Sequence, residues 1–161
     1  MGAEDEYDLV VIGSGPAGEK GATQAAYYGH RVAVVERRAG AGGSAIAVSG
    51  VPVKALRDAA LYLSGWSRKE TFGVGLDLSR AEVMARLRGH TQDVVSSMAA
   101  AVAANLDRHG VEVVHGQARI GTDRTVTVEA PDGGIRVLRA GTVLLATGSR
   151  PHHPEGMPFD D

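Results

Sequence analysis

Cysteine is absent from the 161 residues, so no disulfide can form and no thiolate is available as a metal ligand or nucleophile. Neither sign of charge is in excess: 17 basic and 19 acidic side chains leave a net charge of −2 and are well mixed. That excludes a polybasic patch for nucleic acid and an acidic tail. No apolar run approaches the ~18 residues a membrane span needs. The start, Met1-Gly2-Ala3-Glu4-Asp5-Glu6, is acidic and lacks the basic-then-apolar pattern of a secretory leader. Glu6 stands where an N-myristoylation site needs Ser or Thr. Internal repeats and low-complexity segments are missing too. The expectation is a soluble cytoplasmic protein of one domain, with a core of ordinary size and no nucleic-acid or membrane partner.

What is present begins with Tyr7-Asp8-Leu9-Val10-Val11-Ile12, which reads as a strand buried on both faces. Pro16 to Tyr28 reads as an Ala-rich helix, with Pro16 in its first turn and Gly29 as a stop signal. Arg31 to Glu36 reads as a second buried strand, completing a βαβ unit with parallel strands. A Gly-rich loop, Ala39 to Ser44, precedes an expected helix from Val53 to Leu63, and Ser64 to Asp77 reads as irregular. Ser79-Arg80-Ala81-Glu82 is a capping box. From there Val83, Leu87, Val94, Met98, Val102 and Leu106 form one face of a helix ending near His109. At ~1.5 Å per residue that helix spans roughly 45 Å. The remainder is β-rich: Val111–Ile120, Thr125–Glu129, a Pro131-Asp132-Gly133-Gly134 turn, Ile135–Arg139 and Thr142–Thr147. The middle two alternate like a solvent-facing antiparallel hairpin, whereas Thr142–Ala146 looks buried on both faces.

Gly13, Gly15 and Gly18 fit G-x-G-x-x-G after a strand and at the opening of a helix. In that context the first glycine permits a tight turn, the second lets backbone approach a pyrophosphate, and the third lets helix and strand pack closely. Free N–H groups and the helix dipole favour phosphate charge there. Glu36, at the tip of the second strand, is placed to accept hydrogen bonds from adenosine ribose hydroxyls. This fingerprint does not separate NAD from FAD.

Three further features favour FAD over a single-domain NAD dehydrogenase. Gly42-Gly43-Ser44 is followed by Pro52-Val53-Lys54; Gly116-Gln117-Ala118 interrupts a strand; and Ala146-Thr147-Gly148-Ser149-Arg150-Pro151 ends the last one. With Asp8 to Pro16, Val34 to Arg38, Lys54 to Ala59 and His153-Pro154, these runs resemble the pyridine nucleotide–disulfide oxidoreductase family, in order and over nearly the whole chain. The resemblance implies an α/β fold: a Rossmann-like FAD-binding domain with a parallel sheet, a long helix and a small antiparallel hairpin insertion. It implies that residues 1–150 are the first segment of that domain and that 151–161 begin a hinge. By the same resemblance, Gly13, Ser14, Gly15, Pro16, Ala17 and Gly18 hold the FAD pyrophosphate and Glu36 the ribose. Arg37 lies near the adenosine, Gly43 and Ser44 approach the diphosphate and ribityl chain, and Lys54 sits beside flavin N5. Gly116 and Ala118 flank the adenine, and Ala146, Thr147 and Gly148 line the adenosine side. NAD(P)H is the implied substrate of an intact enzyme, which would be a homodimer.

The chain departs from the family pattern twice. Disulfide reductases of the family carry G-G-x-C-x-N-x-G-C-x-P-x-K, and Ala45 and Gly50 occupy the two cysteine positions of that run here. Disulfide reduction is therefore not expected. The implied activity is hydride transfer between NADPH and NAD through FAD, which needs no thiol. The chain also stops at Asp161, just past Arg150-Pro151, where the family's NADH domain would begin. It accordingly reads as a fragment, a truncated product or one piece of a split enzyme, and on its own as a dinucleotide-binding module without turnover. His30, His90, His109, His115, His152 and His153 show no metal-ligand spacing beyond the adjacent last pair, which reads as solvated. Trp66 and the Tyr27-Tyr28 pair are expected to pack. Ser14, Ser44 and Ser49 read as loop and cap residues without the His and acid partners of a hydrolytic triad.

Overall fold

Alternation in two short apolar strands builds a core on both sides of one sheet. The computed structural model describes residues 5–67, 78–149 and 152–158, the side chains of 65–67 excepted. Along the chain run β1 (Glu6–Ile12), α1 (Pro16–Tyr27), β2 (Val32–Glu36), α2 (Gly43–Ala47), α3 (Gly50–Ser67) and α4 (Arg80–Arg108). They are followed by β3 (Glu112–His115), β4 (Gln117–Ile120), β5 (Thr125–Glu129) and β6 (Ile135–Leu145). The strands form one sheet in the order β3-β2-β1-β6-β5-β4. β1 runs parallel to β2 and β6, and β2 parallel to β3. β4, β5 and β6 pair antiparallel.

Successive side chains on a strand point to opposite faces. Val11, Val32 and Val34 therefore enter a helix-side cluster with Ala22 of α1, Ile46 of α2, and Val102 and Leu106 of α4. Val10, Ala33 and Val35, which alternate with them, enter a second cluster that also holds Tyr7 and is closed by Val126, Val128 and Leu138 of the antiparallel strands. The antiparallel layer is thus one-faced, as its alternation predicts.

The long helix starts on the expected box: the Ser79 hydroxyl accepts from the Glu82 N–H, and the Glu82 carboxylate accepts from the Ser79 N–H at 2.8 Å. Only Val102 and Leu106 of its apolar face are buried. Its first half instead lies against α3, early α4 meeting late α3 around Ala59, Leu63, Val83 and Leu87.

Several expectations need correction. The interruption expected at Gly116 within Val111–Ile120 is complete and divides it into two strands; a Cβ at that turn would lie 2.5 Å from the Glu129 carbonyl oxygen. Ile135–Arg139 and Thr142–Thr147 merge into the single strand β6. Its end is not buried on both faces, since Leu145 is 63% exposed. β5 pairs with β6 only as far as Arg139, so the outer edge beyond it has no strand partner among the described residues. Part of the loop expected at Ala39–Ser44 is the start of α2. α3 begins earlier than expected, at Gly50, and takes in Ser64–Ser67; the rest of the segment expected to be irregular lies outside the described residues. Tyr27 and Tyr28 are 74% and 71% exposed and pack only edge-to-face on each other. They follow the buried part of α1, which is confined to Gly18–Thr23. The Trp66 side chain lies outside the described residues.

Candidate functional site

β1 ends in a turn that glycine alone allows. Gly13 has φ +103°, and a Cβ on it would stand 2.4 Å from the Ala146 carbonyl oxygen at the end of β6. α1 follows at once, and a Cβ on Gly18 would lie 1.9 Å from the Gly13 carbonyl oxygen. Gly15 differs. It has φ −61° as N-cap of α1, and a Cβ there would meet only the Gly43 Cα, at 3.9 Å. No side chain caps α1, and Pro16 has no N–H. The Gly15, Ala17 and Gly18 N–H groups thus have no intrahelical acceptor and stand at the positive end of the helix dipole.

Glu36 ends β2 beneath this turn, only 5% exposed. Its Oε2 accepts the Ser14 hydroxyl at 2.6 Å and the Ser14 N–H at 2.9 Å, and its Oε1 accepts the Arg38 N–H at 2.9 Å. Burial works against the charge. The hydrogen bonds from the Ser14 hydroxyl and from the Arg38 and Ser14 N–H groups outweigh it and hold the carboxyl below its ordinary range. The Gly42 N–H in turn donates to the Ser14 Oγ at 3.1 Å, tying in the loop before α2. The Gly116 N–H donates to the Glu36 carbonyl at 2.9 Å, fixing the β3–β4 corner alongside.

These segments enclose a cavity of about 450 Å³ at the C-terminal ends of the parallel strands. Such a crevice in an open α/β sheet is where ligands bind. The structure brings Gly13, Gly15, Pro16, Ala17, Glu36, Arg37, Gly43, Ser44, Gly116, Ala118, Ala146, Thr147 and Gly148 to its walls. Three residues singled out in the sequence lie elsewhere. Ser14 is wholly buried behind Glu36. Gly18 is spent on the helix–strand contact. Lys54, on α3, is exposed and paired with Asp58 at 3.0 Å. Sequence reasoning missed Arg38, Gln117, Leu145 and Ser149, which also line the cavity. Each adjoins a residue that was singled out, and that adjacency was the available signal.

The lining suits a diphosphate joined to a sugar: unpaired N–H groups for the phosphates and a buried carboxylate for hydroxyls. Away from the cavity, Tyr7, Glu112, Arg136 and Asp5 form a polar cluster near the other end of β1. The Tyr7 hydroxyl donates to Glu112 at 2.5 Å, and Arg136 donates to Tyr7, Glu112 and Asp5 at 3.0, 2.6 and 2.8 Å. The Arg31 guanidinium lies over the Tyr7 ring, 4.9 Å from its centroid. Among the described residues no group of three or more His, Asp or Glu is arranged to hold a metal, and no helix is long and apolar enough to cross a membrane.

Comparison with known proteins gives three findings. The profile of the pyridine nucleotide-disulphide oxidoreductase family matches residues 7–160. Soluble pyridine nucleotide transhydrogenase from Mycobacterium bovis (strain BCG / Pasteur 1173P2) is 36% identical over 157 residues, 97% of this chain and 34% of the relative. The protein of the same name from Escherichia coli O9:H4 (strain HS) is 32% identical over 96% of this chain and 33% of its own length. The chain thus spans about a third of these relatives. Among solved structures, a variant of the HOCl-induced flavoprotein disulfide reductase RclA from Escherichia coli, in complex with Cu(II), superposes with a TM-score of 0.75. It shares 25% identity and is matched over 94% of this chain and 31% of that one.

Proposed function

Because the chain belongs to the pyridine nucleotide-disulphide oxidoreductase family, we propose that it forms the FAD-binding part of a transhydrogenase-like flavoenzyme, acting between NADPH and NAD without a redox disulfide. The observation that carries this reading is the convergence of four distant segments on one cavity: the phosphate loop, the tip of β2 with Gly43-Ser44, the β3–β4 corner and the end of β6.

The residues fit the cofactor. Gly15 and Gly43 face each other so closely that a Cβ on Gly43 would lie 2.8 Å from the Gly15 Cα, leaving bare backbone on both sides of the cavity mouth. Gly15 and Ala17, with Gly18 behind them, present N–H groups to the diphosphate, and Pro16 fixes the start of α1. Glu36 takes the ribose. Arg37, Gly116 and Ala118 bound the adenine, and Ala146, Thr147 and Gly148 line the adenosine side of the cofactor. Ser44 extends the site toward the ribityl chain. A place for Lys54 at the flavin edge rests on the family resemblance alone and requires its ion pair with Asp58 to open. When bound, the flavin supplies the two-electron hydride chemistry, and this chain supplies position and electrostatics.

On this reading residues 1–150 are the first segment of the FAD domain. The nicotinamide site lies in the two thirds of the relatives' length that this chain does not match. That coverage favours a second statement: the 161 residues by themselves bind FAD without turning over NADPH. Calorimetry of the apoprotein with FAD and with NAD tests the proposal. Tighter binding of FAD is expected, and equal or tighter binding of NAD overturns it.

A further inference from the structure

Ser14 occupies the first variable position of the glycine turn, yet its side chain points away from the cavity. It is wholly buried, and its hydroxyl bridges two loops, donating to Glu36 Oε2 at 2.6 Å and accepting from the Gly42 N–H at 3.1 Å. An ionised carboxylate offers about four acceptor positions, two on each oxygen. Both positions on Oε2 are filled by Ser14, through its hydroxyl and its N–H, and one on Oε1 is filled by the Arg38 N–H.

We propose that Ser14 is a positioning residue that acts through Glu36, filling Oε2 so that the carboxylate accepts one ribose hydroxyl, through Oε1 alone. This deepens the FAD reading and rests on it. The glycine turn then serves both ends of the adenosine diphosphate unit. Its N–H groups face the phosphates, while its only hydroxyl sets how many sugar hydroxyls the acid can hold. The same hydroxyl ties the Gly42-Gly43 loop to the phosphate turn, so carboxylate orientation and loop position are set together.

Removing one sugar hydroxyl is therefore not equivalent to removing the other. The experiment is competition against bound FAD, read as the return of flavin fluorescence so that only this site reports. The competitors are ADP, 2′-deoxy-ADP and 3′-deoxy-ADP, tested on the wild-type protein and on Ser14→Ala. For the wild type, one deoxy analogue is expected to bind roughly tenfold or more weaker than ADP, the worth of a hydrogen bond to a charged group. The other should match ADP within about twofold. Ser14→Ala releases Oε2 and with it the fixed orientation of the carboxylate, so the difference between the two analogues should shrink to within about threefold.

Equal penalties for both analogues in the wild type overturn the single-hydroxyl assignment. Weaker binding of all three competitors to Ser14→Ala, with discrimination intact, overturns the route through Glu36. Failure of the wild type to bind FAD at all removes the cofactor reading itself, a different signature. Should Ser14→Ala fail to fold, Glu36→Ala carries the test. It removes both acceptor oxygens, and discrimination that survives it overturns the proposal.

Discussion

Gly18 sits against the carbonyl of Gly13 so tightly that a Cβ on it would stand 1.9 Å from that oxygen. The contact joins the first turn of α1 to the end of β1, and backbone cannot yield there as a flexible side chain could. The glycines of the fingerprint therefore divide by function. Gly13 and Gly18 hold the fold together, and Gly15 keeps the cavity mouth open.

Gly18→Ala should destabilise the protein by about 3 kcal/mol, at the upper end for overpacking. Urea unfolding with FAD absent measures it, and an unchanged midpoint would contradict the contact.

Gly15→Val should behave in the opposite way. Its φ of −61° suits any residue, so the variant should fold with a loss of about 1 kcal/mol, the penalty of an apolar N-cap. FAD affinity should fall at least about a hundredfold, as the branched side chain fills the approach to the pyrophosphate. Circular dichroism and calorimetry on the same sample separate the two effects.

The pH dependence of stability should carry the signature of Glu36. Its carboxyl is held below the ordinary value of about 4.3. A depressed folded-state value means that the stabilisation is complete above the unfolded-state value and is lost as pH falls through the folded-state one. As pH falls below the unfolded-state value of about 4.3, the wild type should therefore lose stability more steeply than Glu36→Gln. Parallel curves in pH-resolved urea titrations would show that Glu36 ionises as freely as an exposed acid.

Tyr7→Phe removes the hydroxyl that joins Arg136 to Glu112. Stability should drop by about 1–2 kcal/mol, the cost of losing a hydrogen bond to a charged partner. FAD affinity should stay within about twofold, because Tyr7 is not among the residues lining the cavity. A thermal melt with a parallel FAD titration is the measurement.

Reduction of the FAD-loaded protein should give no long-wavelength thiolate–flavin band, since the sequence holds no cysteine. Restoring the pair would be hindered at one position. A Cβ on Gly50 would lie 2.9 Å from the Ala45 carbonyl oxygen, so Gly50→Cys should cost stability whereas Ala45→Cys should not. A dithionite titration followed by absorbance tests the first statement, and urea unfolding tests the second.

Features that are physically local in the chain are legible in its sequence. The Ser79–Glu82 box starts α4, and the alternation of Val126, Val128 and Leu138 sets the inner face of the antiparallel layer. The glycine spacing located the turn. What sequence could not give was the direction of a side chain toward a partner distant in the chain. The motif alone implies a pyrophosphate contact for Ser14, but its hydroxyl is committed to Glu36 across 22 positions. Leu144 and Leu145 looked buried because apolar runs usually are, and burial depends on what flanks the strand. Tyr27 and Tyr28 are exposed for a related reason: they lie at the C-terminal end of α1, past its buried part. No pattern in the helix marks where that support ends.

β6 changes partners midway, antiparallel to β5 over Ile135–Arg139 and parallel to β1 from Arg139 to Leu145. β1 and β6 lie far apart in the chain, so β1 receives this neighbour only after all the intervening elements have been made. Contacts of such high sequence separation slow folding, because loop-closure entropy must be overcome before they form. Until β6 arrives, β1 has a free edge, and the turn at Gly13 lacks the Ala146 backbone that confines it. The cavity is therefore completed only when β6 docks, and a nascent chain released before Ile135 would carry an incomplete glycine turn and a β1 paired along one edge only.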